Sequence, residues 1–319
     1  MARAQPAPPL AGGIEPGTAP LPLVERPLCS DTTAYCVEVL AGDFAAALAR
    51  EPGRFEAHVG LGRAAAQNES MSYGAGGDAA TQARQHFQDA LWRAPTSPVV
   101  QLELARIELS LGHGETARTS LEALALGQPN DAELQAALGI ARLSTGAVSE
   151  SVGPLRRAQE LDPRRIERYL TLGTAQMLND RPEEAERTYR AAIALDSSSP
   201  DAHGNLGALL LVLGRLTEAR AHLERALVLA PKRATFVSNL SYLALLEGDF
   251  VRAQSEAERA IALDSGLGSA WLNLGLAQVR QKKYVDGKRS FQRAQTLDPT
   301  DPRPRDNLKE LAELAPGTR

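Results

Sequence analysis

Residues 268–301 read GSAWLNLGLAQVRQKKYVDGKRSFQRAQTLDPTD, and the 34 residues before them, 234–267, read ATFVSNLSYLALLEGDFVRAQSEAERAIALDSGL. Superposed, Leu240 falls on Leu274, Ser241 on Gly275, Ala253 on Gly287 and Ala260 on Ala294. A large apolar residue followed at once by a small one, answered by further small residues after a polar turn, is the pattern of two helices that pack closely. The turn Glu247-Gly248-Asp249-Phe250 separates the two, because glycine takes the left-handed conformation that ends a helix.

The period of 34 runs without a slip through residues 98–131, 132–165, 166–199, 200–233, 234–267 and 268–301, and a longer unit precedes it at 55–97. Position 7 of each unit is leucine: Leu61, Leu104, Leu138, Leu172, Leu206, Leu240 and Leu274. Position 8 is Gly62, Ala105, Gly139, Gly173, Gly207, Ser241 or Gly275, and position 20 is Ala83, Ala117, Ser151, Ala185, Ala219, Ala253 or Gly287. Position 27 is alanine except at Leu124. Prolines 95, 129, 163, 231 and 299 close five units, since proline lacks the donor that a continuing helix needs.

Trp271, Leu274, Gly275, Gly287, Phe291, Ala294 and Pro299 resemble the tetratricopeptide repeat signature, with glycine where alanine is usual at position 20. The resemblance implies an all-α, right-handed superhelical solenoid of antiparallel helix pairs, with about seven full repeats plus caps. Each hairpin needs its neighbours to bury its apolar face.

The expected organisation is a Pro/Ala/Gly-rich leader over 1–30, a degenerate N-terminal cap over 31–53, the solenoid over 54–301 and a capping helix over 302–315. Residues 68–78, NESMSYGAGGD, lengthen the inter-helix turn of the first unit. In the capping helix Leu308, Leu311 and Leu314 share one side, opposite Lys309, Glu310 and Glu313.

Composition narrows the function. Hydrophobic residues make up 43% and aromatics 4%, mostly leaving Ala and Leu, which favours helix on helix. The formal net charge of -4 supplies no field for nucleic acid, and no apolar run is long enough to span a membrane. The absence of a signal pattern gives a cytoplasmic expectation, with a periplasmic or envelope-associated location as the alternative. Cys29 and Cys36 leave a disulfide or two free thiols open. The histidines are scattered, the glycines at 74, 76 and 77 lack a following Lys-Ser/Thr, and no carboxylate dyad or nucleophile elbow is found. The expectation is a protein that is not an enzyme, with no catalytic residue, metal or cofactor.

A partner protein or peptide segment is expected instead. Positions 4, 7, 8 and 11 of each first helix face the hairpin partner, leaving positions 2, 6, 9 and 13 on a neighbouring stripe. By the family resemblance this stripe lines the concave surface. Position 6 gives Asn205, Asn239, Asn273 and, in the capping helix, Asn307, which is similar to the asparagine ladder of O-GlcNAc transferase. Amides offer donor and acceptor together, so such a row suits a peptide backbone. Ala208, Tyr242 and Leu276 at position 9, with Leu178, Val212 and Leu246 at position 13, make the C-terminal groove partly apolar. The N-terminal groove is polar and charged, with Arg63, Arg106, Gln67, Ser110 and Ser144, and with Glu56, Glu133, Glu167 and Asp201 at position 2. These residues suit a scaffold or adaptor. The alternatives are a bacterial cell-envelope protein of pilus or secretion assembly and a substrate-recruiting arm for an enzyme on another chain.

Overall fold

The computed structural model describes residues 78–314, which form fourteen α-helices and, among these residues, no strand. The leader, the degenerate cap, the two cysteines, the first helix of unit 55–97 and nearly all of its insertion lie outside the described residues. The described residues fall into two compact units, one ending at Asn179 and the other beginning at Asp180.

The N-terminal unit contains α1 (Asp78–Arg93), α2 (Pro98–Ser110), α3 (Gly114–Gly127), α4 (Ala132–Ser144), α5 (Val148–Leu161) and α6 (Ile166–Leu178). The C-terminal unit contains α7 (Pro182–Leu195), α8 (Pro200–Val212), α9 (Leu216–Leu229), α10 (Ala234–Glu247), α11 (Phe250–Leu263), α12 (Gly268–Arg280), α13 (Tyr284–Leu297) and α14 (Pro302–Leu314). First helices and second helices alternate, and within each unit each packs on the next.

Helix starts follow from local chemistry. Pro98, Pro182 and Pro200 open α2, α7 and α8, where the missing N–H costs nothing. Asp131 caps α4 by accepting from the backbone N–H of Glu133 at 2.9 Å and of Leu134 at 3.0 Å. Between the helices of a hairpin the chain turns through a left-handed residue, Gly214 at φ 70° and Gly248 at φ 79°, and at the last hairpin Lys282 at φ 64°.

The small residues sit where the helices touch. A Cβ added at Gly207 would lie 2.8 Å from Leu223 Cγ, and one added at Gly275 would lie 2.5 Å from Phe291 Cδ1. Where this position carries Ser241, its Oγ donates to the Ala253 carbonyl at 2.7 Å, so the hydroxyl is satisfied inside the seam. Ala117, Ala185, Ala219 and Ala253 are fully buried. The end of the C-terminal unit is closed by α14, whose Leu311 joins Leu272, Phe291 and Ala294 in one core. Leu308 packs against the same core, whereas Leu314, at the helix end, stays exposed.

A second recurring feature closes four of the repeat junctions. Gln101 Nε2 donates to the Pro95 carbonyl at 2.6 Å, Tyr169 Oη to Pro163 at 3.0 Å and Trp271 Nε1 to Ser265 at 3.0 Å. His203 Nε2 lies 3.3 Å from the Ser197 carbonyl, an acceptor, so that nitrogen carries the proton. All four donors stand at position 4, each six residues past its acceptor.

Candidate functional site

In the C-terminal unit the first helices α8, α10, α12 and α14 lie side by side, and the four asparagines divide into two pairs. Asn273 is fully buried between α10 and α12, and its Nδ2 donates to Ser238 O at 3.0 Å and Ser238 Oγ at 3.2 Å. Asn307 donates to Arg303 O at 2.8 Å, one turn back in its own helix. Both amides therefore spend their donors inside the fold. Asn205 is half-buried and Asn239 is 6% exposed, and neither side chain makes a hydrogen bond among the described residues. Asn239 Oδ1 is a buried acceptor with no donor there, as is Asn273 Oδ1.

Around the amides, Ala208 and Tyr242 are buried, Leu246 and Leu276 half-buried and Val212 exposed. Leu276 packs against the core that α14 completes. Burial pushes the Tyr242 hydroxyl above its ordinary range, with the nearby Arg303 charge opposing. Leu178 is exposed at the end of α6 and belongs to the N-terminal unit. Positions 6 and 9 are thus more enclosed than a free stripe, because the next first helix covers them. Position 13 at Leu178 and Val212 is open.

The corresponding face of the N-terminal unit is built from charge. Glu133, at the start of α4, accepts from Arg106 on α2 at 2.7 Å, from Arg165 just before α6 and from Arg168 on α6. One carboxylate thereby ties together three successive first helices. Arg106 and Arg168 are each only 7% exposed, and Glu103 stands 3.9 Å from Arg106. Arg106, Glu133 and Arg168 also line a hollow whose apolar wall includes Leu109, Ala136, Ala137, Ile140 and Leu155. Ser110 and Ser144 bond back to Ile107 O and Ala141 O of their own helices.

Sequence reading singled out Arg106 and Glu133 but missed Arg165 and Arg168. A usable signal existed: an acid at position 2 and an arginine at position 34 of one repeat pair in space. Glu133 with Arg165 is one example, and Asp201 with Arg233, at 2.9 Å, is another.

Two further groups bear on chemistry. His203 Nδ1 lies 3.0 Å from His222 Nδ1 across the α8–α9 hairpin, and since His203 carries its proton on Nε2, His222 is the donor. Burial first, then the neighbouring His203 and Arg190, push the His222 imidazole below its ordinary range. Among the described residues no group of three or more His, Cys, Asp or Glu side chains is placed to hold a metal ion, and no helix is long and apolar enough to cross a membrane.

Comparison with known proteins agrees with this architecture. Family models described as Tetratricopeptide repeat match residues 170–234 and 239–302, and a further one matches residues 77–140. No curated protein sequence matches the chain. Among solved structures it is similar to the APC/C hetero-tetramer Cut9-Hcn1, at 16% identity and a TM-score of 0.65, covering 87% of this chain and 55% of that one. It is similar to a tetratricopeptide repeat protein from Parabacteroides merdae, at 13% identity and a TM-score of 0.65, covering 82% of this chain and 99% of that one. It is also similar to yeast Tom70, at 14% identity and a TM-score of 0.59, covering 89% of this chain and 59% of that one. The chain thus spans little more than half the length of the Cut9-Hcn1 chain it matches. At these identities the likeness concerns the fold. With repeat models matched on residues of both compact units, the chain belongs to the tetratricopeptide repeat family.

Proposed function

We propose that this protein is a scaffold or adaptor that holds a segment of a partner protein along the first helices of its C-terminal unit. Asn205 and Asn239 present amides to the segment's backbone, Val212, Leu246 and Leu276 take its apolar side chains, and Ala208 and Tyr242 form the floor. Asn273 and Asn307 hold neighbouring turns in place, and Leu178 lies outside this surface. The observation that carries the reading is that the Asn205 and Asn239 side chains make no hydrogen bond among the described residues, whereas Asn273 and Asn307 donate inside the fold.

Affinity capture from the source cells tests this, comparing the wild type with an Asn205→Ala/Asn239→Ala double variant whose folding is verified by circular dichroism. At about 0.5–1.5 kcal/mol per hydrogen bond, a genuine partner is expected to bind the variant roughly 5- to 100-fold more weakly. Equal recovery of every captured protein by both forms overturns the assignment.

A further inference from the structure

Residues 280–293 read RQKKYVDGKRSFQR and carry six cationic side chains against one acidic, an excess of five on a chain whose total is -4. They span the end of α12, the turn after it and most of α13. We infer that this last hairpin binds an acidic segment of a partner protein.

The excess is not absorbed within the fold. Of Arg280, Lys282, Lys283, Arg289 and Arg293, all exposed, only Arg289 has a carboxylate within 4.0 Å among the described residues, Asp286 at 3.8 Å. Lys283 Nζ donates to a neutral acceptor, Gln254 Oε1, at 2.8 Å. Elsewhere in the same unit arginines are matched: Arg190 meets Glu186 at 2.8 Å, Arg215 meets Glu186 and Glu218 at 2.7 Å each, and Arg220 meets Glu247. The neighbouring helices do not restore the balance. Helix α11, packed on α12, and helix α14, packed on α13, each hold as many acidic as basic residues. Asp298 and Asp301 follow the far end of α13, away from the turn.

Local structure adds to the field. The left-handed residue of this turn is Lys282, at φ 64°, where Gly112, Gly146, Gly214 and Gly248 serve in other hairpins. A lysine there forgoes the conformational ease that glycine brings. Lys282 and Lys283 also stand immediately before the N-terminus of α13, the positive end of its dipole, so charge of one sign accumulates. Two local preferences thus run against these lysines, and an anionic partner offsets the second.

The size of the patch decides its occupant. Val285, Arg289 and Arg293 follow at intervals of four along one exposed face of α13, a stripe of about 12 Å at the helical rise. Val285 is 52% exposed among these charges, so an acidic run broken by an apolar residue fits. With five positive charges in the patch and a total of -4, the rest of the chain sums to -9. A polyanion much wider than the patch, such as a bilayer surface or a nucleic acid duplex, meets that repulsion at its margins. A short acidic segment does not. This inference goes beyond the asparagine site and shares no residue with it.

The test uses the full chain and the fluorescence anisotropy of a labelled, amidated peptide with Glu-Glu-Val-Glu-Glu in a Gly/Ser background. Its neutral counterpart has Gln in place of every Glu. The acidic peptide is expected to bind about tenfold or more tightly than the neutral one, and to weaken as salt is raised. Lys282→Gln/Lys283→Gln/Arg289→Gln/Arg293→Gln is expected to lose most of that preference. Arg164→Gln/Arg187→Gln/Arg225→Gln/Lys232→Gln removes the same charge from exposed positions elsewhere, and is expected to bind within about twofold of the wild type.

Acidic and neutral peptides that bind alike overturn the inference, as does a control variant that loses as much affinity as the patch variant. Phosphatidylserine vesicles or a short DNA duplex bound more tightly than the acidic peptide overturn the assigned class of partner. Asn205→Ala/Asn239→Ala is expected to leave the affinity for the acidic peptide unchanged, so failure of the asparagine site and failure of this one are distinguishable.

Discussion

The two units solve the same packing problem with different chemistry. In the N-terminal unit α2, α4 and α6 are tied by a carboxylate among three guanidinium groups. In the C-terminal unit α10 and α12 are tied by neutral groups, Asn273 on Ser238, with the Ser238 and Ser269 hydroxyls 3.3 Å apart. Within each hairpin nothing of the kind changes: leucine at position 7 and small residues at positions 8 and 20 recur in both units. The seam inside a hairpin is therefore fixed by volume, whereas the link between successive first helices tolerates either ions or amides. That tolerance gives the two units faces of different chemistry.

The largest test of this contrast is Glu133→Ala. Removing the shared carboxylate leaves two almost buried guanidinium groups without it, and the expected loss is about 3–5 kcal/mol by urea denaturation. A loss below about 1 kcal/mol, the value typical of surface ion pairs, would erase the difference between the units. Next in size is Asn273→Ala, which leaves the Ser238 carbonyl without its side-chain donor, for an expected loss of about 1–3 kcal/mol. Asn205→Ala, at a half-buried amide with no internal bond, is expected to change stability by less than about 0.5 kcal/mol. Equal effects at the two asparagines would contradict their division into structural and partner-facing pairs.

The smallest effect concerns pH. Because the folded C-terminal unit holds His222 below its ordinary range, the unfolded chain takes up that proton first as pH falls. Stability from this group is complete above the ordinary imidazole value near 6.5, and declines as pH drops from there toward the folded value. The melting temperature of the C-terminal unit should fall between about pH 7 and pH 5, and the fall should be shallower in His222→Gln. An identical slope in both proteins would remove His222 from the account.

The helix pairs were legible in the sequence because seams select for size, and size is written in residue identity: Gly207 and Gly275 sit where any side chain would strike Leu223 or Phe291. The candidate site was less legible. Helical spacing places Asn205, Asn239, Asn273 and Asn307 on one stripe, but whether an amide on that stripe faces solvent depends on how closely the next first helix approaches. That distance is set by residues such as Ser238 and Ser269, which the periodicity of a single helix does not reveal. Arg165 and Arg168 escaped notice for a related reason: their shared partner lies in the preceding first helix, more than thirty residues away.

The position-4 hydrogen bonds obey a different rule from the small-residue seam. A carbonyl accepts equally from an amide, a phenol, an imidazole or an indole, and this chain uses all four, in Gln101, Tyr169, His203 and Trp271. At these four junctions the spelling differs while the clasp persists, whereas Val237, at position 4 of the unit 234–267, has no donor to offer. Alignment by letters sees four unrelated residues at these junctions where alignment by donor capacity sees one role.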